Sequence, residues 1–322
     1  MIHFLRWGVL GAAKIADNYV VPAMRHSTDS RVMAVASRDV ARADAFARKH
    51  EIDHVFSRYE DVIESSDVDA IYIPLPTASH FEWCKKALAA GKHVLCEKPI
   101  AMQATEVQEL IELRDVTGLV CAEAFMVAHH PQWAFMRESL AQGIIGELKL
   151  VEGCFTYFNN DPRALKNNLE LGGGGVRDIG VYPVVTARLA TGLEPTSVRA
   201  EVVIDPCFGT DRYANCTMEF PGFTMHFYCG TQLGRRQEMV FHGTRGWISL
   251  DAPFNPGVYG PALVRHRDNG TGETHITTFD EVDQYQFMVE DFARTVLGEK
   301  QEVSFPLESS LLNQKIIDRI LE

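Results

Sequence analysis

Hydrophobic positions follow two rhythms along this chain. Up to about residue 122, short apolar runs alternate with segments of helical spacing, as expected of parallel strands joined by crossover helices. Runs at 4–10, 31–36, 69–74, 93–96 and 119–122 predict strands, and 40–49, 81–90 and 106–117 predict helices. In the third helix Val107, Leu110, Ile111 and Leu113 fall near one face and Gly118 ends it. Ser79 and Glu82 stand at capping-box spacing and predict a defined start for the second.

After a helix predicted over 131–142 the rhythm changes to long alternating stretches. Strands are expected at 147–158, 198–204, 213–220 and 223–229, then at 238–242, 247–250 and 274–278. Pro221-Gly222 signals a tight turn, which makes the strands on either side antiparallel neighbours. Helical spacing returns at 282–297 and 307–321. The fold class is therefore α/β plus α+β. A doubly wound parallel sheet over 1–122 precedes a domain over 123–322, built on a large, mostly antiparallel open sheet with helices on one face.

Composition narrows the function. A chain of 322 residues, 46% of them apolar, can bury the cores of two domains. Thirty-one Lys and Arg against 43 Asp and Glu give a net charge of -12, which repels nucleic acid and anionic membrane surfaces. Any anion it binds needs a local basic site. The seven cysteines are scattered singly and predict reduced thiols in a cytoplasmic protein. A strand beginning at Phe4 leaves no room for a signal peptide, and no run reaches the ~18 apolar residues of a membrane span. His129 and His130 lack partners at zinc spacing, so no metal is expected.

The segment GVLGAAKIA, residues 8–16, leaves the first strand with Gly11, Ala13 and Ala16 at the three positions of a G-x-G-x-x-G nucleotide turn. Gly11 suits the turn and Ala16 the helix packing, whereas the Ala13 methyl stands where backbone should approach the phosphates. By itself the stretch fits both a cofactor loop (Gly11, Ala12, Ala13, Lys14, Ile15) and a plain strand-to-helix turn. At the end of the second strand, Ser37 and Arg38 suit a 2'-phosphate and hence NADP. Adjacent Asp39 leaves NAD possible, and a solvated Arg38 opening a polar helix is the alternative. In YIPLPTASH, Pro74, Thr77 and His80 lie at the C-terminal edge of a central strand, where ligands bind in open α/β sheets. His80 reads equally as a cofactor contact and as a first-turn helix residue.

Glu97-Lys98-Pro99 follows another apolar strand, placing a lysine at the same edge with a carboxylate before it and a backbone-fixing proline after it. From the glycine turn and SRD through AGKHVLCEKP to GGGGVRDIGVY, the chain resembles the glucose-fructose oxidoreductase, inositol dehydrogenase and MocA (Gfo/Idh/MocA) family across both domains. The opening RWG, the SR pair and Tyr182 resemble its NADP-dependent dihydrodiol dehydrogenase, D-xylose dehydrogenase and 1,5-anhydrofructose reductase members. The resemblance implies a Rossmann NADP-binding domain and a C-terminal domain that binds substrate and forms a homodimer through its open sheet, with a tetramer as the alternative. It implies Lys98 as the catalytic lysine, Asp178 and Tyr182 as the ends of a D-x-G-x-H/Y motif, and Glu97 as a contact of the nicotinamide ribose.

Three positions depart from the family pattern. Thr77 stands for a common asparagine, Ala128 for an arginine, and Tyr182 for a frequent histidine. His130 is a candidate substrate contact or only a joint to the next helix. Arg163 is a candidate substrate contact or a solvated charge, and glycines 172–175 either approach the nicotinamide or form a flexible connector.

Reducing a carbonyl requires a hydride donor and a group that neutralises the developing alkoxide. Tyr182 can pass the proton, assisted by the Lys98 ammonium, which favours phenolate. Lys98 can also donate a hydrogen bond to the substrate oxygen, with Asp178 orienting it. Asp178 and Tyr182 share a helical face if that segment is helical, and Pro183 sets the helix start near Gly180. The expected function is an NADP(H)-dependent oxidoreductase acting on a sugar, polyol, cyclic diol or related carbonyl compound. The alternatives are an NAD-retaining glycosidase without net redox change and a non-catalytic NADP-sensing protein.

Overall fold

The computed structural model describes residues 4–322. By contacts the chain divides into two units: one runs to His129 and takes in Asp283–Gln314, and the other comprises His130–Val282 and Lys315–Glu322.

The first unit contains β1 (Leu5–Leu10), α1 (Val21–His26), β2 (Ser30–Ala36), α2 (Val40–His50), β3 (His54–Phe56), α3 (Tyr59–Glu64), β4 (Ala70–Ile73), α4 (His80–Ala89), β5 (His93–Glu97), α5 (Ala104–Thr117) and β6 (Cys121–Ala124). Six parallel strands lie in the order β3-β2-β1-β4-β5-β6, the doubly wound arrangement the alternation predicts. Strand β1 reads as a continuous apolar run because its Leu5, Trp7, Val9 and Leu10 are all buried. Arg6 interrupts the run and forks onto Asp69 ahead of β4, with bonds of 2.9 and 2.7 Å.

One local expectation is corrected. The capping box forms at Gln103 and Glu106 of α5, not at Ser79. A 3-10 turn, Thr77–Ser79, feeds directly into α4, so Ser79 already has helical backbone angles and its side chain caps nothing. Strand β3 and helix α3 were not predicted, since three and six residues are too short to show a period. By contacts the chain divides after His129 and returns to this unit at Asp283. The return is anchored by α8 (Gln284–Val296), whose buried Phe292 lies 5.1 Å, ring to ring, from Trp7.

The second unit holds α6 (Pro131–Ala141), β7 (Leu148–Phe158), α7 (Val181–Thr191), β8 (Ser197–Ile204), β9 (Asp211–Phe220), β10 (Phe223–Gly230), β11 (Gln232–Gly243), β12 (Gly246–Leu250), β13 (Leu263–Asp268) and β14 (Thr274–Thr278). The unit boundary cuts the last helix, α9 (Leu307–Leu321). Eight strands run in the order β14-β13-β12-β11-β7-β10-β9-β8. All pairs are antiparallel except β7 with β10. Pro221-Gly222 closes the β9–β10 hairpin as expected.

Alternation sorts this sheet into two faces. Val151, Phe155, Met225, Phe227 and Phe241 are buried, and α6 and α7 cover this side through Trp133 against Phe241 and Tyr182 against Phe155. The opposite face carries Glu152, Thr217, His226, Tyr228 and Glu238, all exposed or half-buried. Strand β13 escaped the sequence reading because LVRHRD offers two apolar residues among charges. Among the described residues no helix is long and apolar enough to cross a membrane.

Candidate functional site

The loop after β1 turns on Gly11. Its φ of 102° is one that a side chain resists, and an added Cβ would stand 3.1 Å from Leu75 Cδ2. Its N–H donates to Ala36 O at 2.7 Å. Helical backbone begins at Lys14 and Ile15, then widens into a π-turn at Ala16–Val20 before α1. The first-turn N–H groups of such a helix have no intrahelical acceptor, which suits an anion. Ala12 and Ala13 are half-buried, and their carbonyls are engaged by Arg42 Nη2 at 2.6 Å and Asp17 N–H at 2.9 Å.

At the end of β2, Ser37 is buried and its Oγ accepts the Asp39 N–H at 3.2 Å, while Arg38 is exposed. The Asp39 carboxylate is drawn into capping α2, accepting the Arg42 N–H at 3.1 Å. Arg42 was missed by the sequence reading. Its only signal was its place three residues after a helix cap.

The exits of β4 and β5 hold the remaining candidates of this unit. Pro74 is buried and Thr77 is half-buried at the start of its 3-10 turn. His80 is 1% exposed, with Nδ1 at 2.8 Å from Pro99 O and Nε2 at 2.7 Å from Leu75 O. Burial pushes its imidazole below the ordinary histidine value against the pull of both carbonyls. With both nitrogens turned to protein backbone, His80 offers none to a cofactor. It ties the loop after β4 to the segment after β5.

Glu97 closes β5, and its Oε1 accepts the Tyr72 hydroxyl at 2.6 Å. Burial raises the Glu97 carboxyl, opposed by Tyr72 and by the charge of Lys98. The structure thus gives Glu97 a partner, Tyr72, other than the ribose that the resemblance implies. Lys98 follows, half-buried at the sheet's C-terminal edge.

In the second unit, Asp178 lies in a π-turn, Val176–Gly180, that runs into α7 at Val181, so the helix starts next to Gly180 as Pro183 required. Tyr182 stands in the first turn of α7, 5% exposed, its ring packed 5.3 Å from Phe155 and 5.5 Å from Phe254. Asp178 Oδ2 accepts the hydroxyl of Tyr157 at 2.5 Å and lies 3.7 Å from Lys166 Nζ. That ammonium sits 4.0 Å over the Tyr157 ring. Burial, then the Asp178 charge, push the Tyr157 phenol far above its ordinary value, so it acts as a donor to Asp178. Tyr157 and Lys166 had no signal in the sequence beyond strand alternation and a polar loop.

Glycines 172–175 serve this unit's own packing. Gly174, at φ 132°, lets Asp211 Oδ1 approach to 2.1 Å of where a Cβ would stand, and a Cβ on Gly173 would meet three backbone carbonyls of residues 165–168 within 2.8 Å. Asp211 Oδ2 accepts the Val176 N–H at 2.6 Å, and burial lifts this carboxyl to about 6. The glycines at 173 and 174 are held by close packing rather than forming a flexible connector. They are the space in which Asp211 grips the turn bearing Asp178.

Two further candidates take other roles. His130 is 2% exposed and caps α6, its Nδ1 accepting the Gln132 N–H at 3.2 Å, as a joint to that helix would. Arg163 is 88% exposed and paired with Asp161 at 3.0 Å, a solvated charge.

Comparison with known proteins places this geometry. Residues 5–125 match the model described as "Oxidoreductase family, NAD-binding Rossmann fold" of GFO_IDH_MocA, and residues 133–249 match the GFO/IDH/MocA C-terminal domain. A Rhizobium meliloti protein described as "Uncharacterized oxidoreductase ORF334" is 37% identical over 99% of this chain and 96% of its own. The chain belongs to the Gfo/Idh/MocA oxidoreductase family. Another Gfo/Idh/MocA-like relative, D-xylose 1-dehydrogenase (NADP(+)) 2 of Haloferax volcanii, is 32% identical over 99% of this chain and 97% of its own. Among solved structures, KijD10, a 3-ketoreductase from Actinomadura kijaniata in complex with NADP and TDP-benzene, superimposes with a TM-score of 0.91. It is 29% identical, covering 99% of this chain and 97% of that one. KijD10 has also been solved with a lysine replaced by alanine and with a tyrosine replaced by phenylalanine. Those two positions are separated by the same number of residues as Lys98 and Tyr182 here.

Proposed function

We propose that this Gfo/Idh/MocA protein is an NADP(H)-dependent oxidoreductase that moves a hydride between the nicotinamide and a sugar, polyol, cyclic diol or related carbonyl compound. The observation that carries NADP over NAD is the end of β2. Arg38 is exposed beside the Ser37 hydroxyl, while Asp39, the carboxylate that could grip a ribose diol, is engaged as the cap of α2. The side-chain-free turn at Gly11 and the helix starting at Lys14 fit a pyrophosphate. The nicotinamide supplies or accepts the hydride when bound.

The chain's own residues handle the substrate oxygen and its proton. Lys98 donates a hydrogen bond to that oxygen and offsets its developing charge. Tyr182 transfers the proton. Asp178, held by Tyr157 and Lys166, supplies a fixed carboxylate for a substrate hydroxyl. In this reading the first unit binds the cofactor, and the second binds substrate and pairs with a second copy through the polar open face of its sheet. The seven cysteines are free, in keeping with a cytoplasmic setting.

A nicotinamide absorbance assay across aldoses, inositols, dihydrodiols and dicarbonyls, with NADP(H) and NAD(H) compared, tests the reading. Turnover with NADP(H) is expected. No turnover with any of them, together with tightly retained cofactor, would overturn it in favour of a non-redox glycosidase. Light scattering in solution tests the dimer, and a monomer at micromolar concentration would remove that part.

A further inference from the structure

Two buried titratable groups near Lys98 have no part in the mechanism above. Glu123 lies on β6, in register with Cys96 of β5, and is 4% exposed. Its Oε1 accepts the N–H of Ile100 at 3.0 Å. Its Oε2 is buried, as is the Ser310 Oγ. Burial raises the Glu123 carboxyl, opposed by Ser310, the Ile100 N–H and the charge of Lys98. On the same short segment His80 meets the carbonyl of Pro99 at 2.8 Å. The two residues that follow Lys98 are thus each held, one by its carbonyl and the next by its N–H, by side chains from two different strand exits.

We infer that Glu123 and His80 are positioning residues that clamp the Pro99–Ile100 backbone and thereby fix where Lys98 points. Glu123 does this as a hydrogen-bond acceptor rather than as a charge. A buried carboxylate used for its charge would be expected to meet a cation or several donors. Here the donors that meet it are a backbone N–H and the Ser310 hydroxyl, both neutral. A neutral carboxyl, or an amide of the same shape, can make the same bond through its carbonyl oxygen. His80 works from the other side: when both ring nitrogens carry protons it donates to Pro99 O and Leu75 O and joins the loop after β4 to the segment after β5, a form the two carbonyls favour and burial opposes.

The test compares Glu123→Gln, which keeps the acceptor, with Glu123→Met, which keeps the volume but not the acceptor, and adds His80→Leu. The kinetic arm rests on the oxidoreductase reading: Glu123→Met and His80→Leu should lower kcat by about 10- to 100-fold, the usual cost of a misplaced catalytic group. KM for NADP should stay unchanged, and Glu123→Gln should restore wild-type kcat. The second arm needs no turnover. Ethyl acetimidate labels lysines of the folded protein, and peptide mass spectrometry reads the rate at Lys98 against exposed Lys85. Glu123→Met and His80→Leu should change the Lys98 rate by threefold or more on the scale set by lost positioning, with Lys85 and the Glu123→Gln variant unchanged.

If Glu123→Gln behaves as Glu123→Met does, the acceptor role is overturned in favour of charge. If neither moves the Lys98 rate, Glu123 is no positioning residue, and an unchanged rate in His80→Leu removes that half of the clamp. A variant that fails to fold is seen as a lost melting transition, and the charge-against-acceptor question is then settled by Glu123→Gln with the pH dependence of Lys98 labelling. An unshifted profile supports the acceptor role and a shifted one overturns it. A wild type that labels normally yet reduces no carbonyl overturns the oxidoreductase reading, while labelling alone still decides the clamp.

Discussion

Lys98 in the first unit and Asp178 in the second are immobilised by different means. Around Lys98 the contacts run from side chains to backbone, with His80 on the Pro99 carbonyl and Glu123 on the Ile100 N–H. Around Asp178 the contacts on the carboxylate come from other side chains, the Tyr157 hydroxyl and the Lys166 ammonium. The backbone there is held separately, through Asp211 on Val176. A group on a clamped backbone segment has its starting point fixed by that backbone. A carboxylate gripped directly has already spent one oxygen, so its charge is tuned by its grips. In the reading proposed above, this contrast fits electrophilic work for Lys98 and an orienting, charge-balanced role for Asp178.

The strongest way to break this contrast is to remove the groups proposed to touch substrate. Tyr182→Phe is expected to lower turnover by about 10²- to 10⁴-fold, the range for a lost acid–base group. Lys98→Ala is expected to lower it by about 10²- to 10³-fold, as for a lost oxyanion donor. Steady-state kinetics with a parallel fluorescence titration of NADPH should find cofactor affinity within about twofold of wild type in both. Near-normal turnover would remove that residue from the mechanism.

Stability below neutral pH, compared between wild type and a His130 variant, probes the second unit. Burial holds the His130 imidazole at about 4 rather than 6.5, in the neutral form whose Nδ1 caps α6. A folded-state value lowered in this way gives stability that is fully present above pH 6.5 and lost as pH falls through 4. The loss is about 3 kcal/mol in all. His130→Asn, which can still cap, should flatten that part of the urea-midpoint profile between pH 6.5 and 4. A variant profile parallel to wild type would mean that His130 titrates normally.

A smaller effect is expected at the cofactor end. Arg38→Ala should weaken NADP by about 10- to 100-fold, the worth of one charge-assisted hydrogen bond, and leave NAD unchanged. Equal weakening of both would show that Arg38 does not read the 2'-phosphate. Last, Tyr157→Phe should cost about tenfold in kcat/KM by freeing one oxygen of Asp178, with Lys166 still holding it. No change would show that Tyr157 does not fix the carboxylate.

What the sequence disclosed follows the range of the forces involved. The parallel sheet, the β9–β10 hairpin, the Gly11 turn and the start of α7 are set within a few residues of chain and could be read directly. Lys98 was legible because Glu97 and Pro99 are its neighbours, and Asp178 because Tyr182 is four residues on. Tyr157, Asp211 and Glu123 were not, since each meets its target across 21, 35 and 23 residues of chain and looks in sequence like an ordinary strand position. His80, His130 and glycines 172–175 were visible but ambiguous. Their partners, two carbonyls, a helix N–H and the Asp211 carboxylate, are supplied by folding.

The meeting of Gly174 with Asp211 sets a rule for how this chain can vary. The carboxylate oxygen occupies the space of the missing methyl, so the two positions form one mutational unit. A residue larger than glycine at 174 is viable only alongside a shorter side chain at 211, and a shorter side chain there leaves the Val176 N–H without its acceptor. Substitutions that restore both needs at once are few. A library that varies this protein would therefore do well to hold this pair fixed and spend its diversity elsewhere.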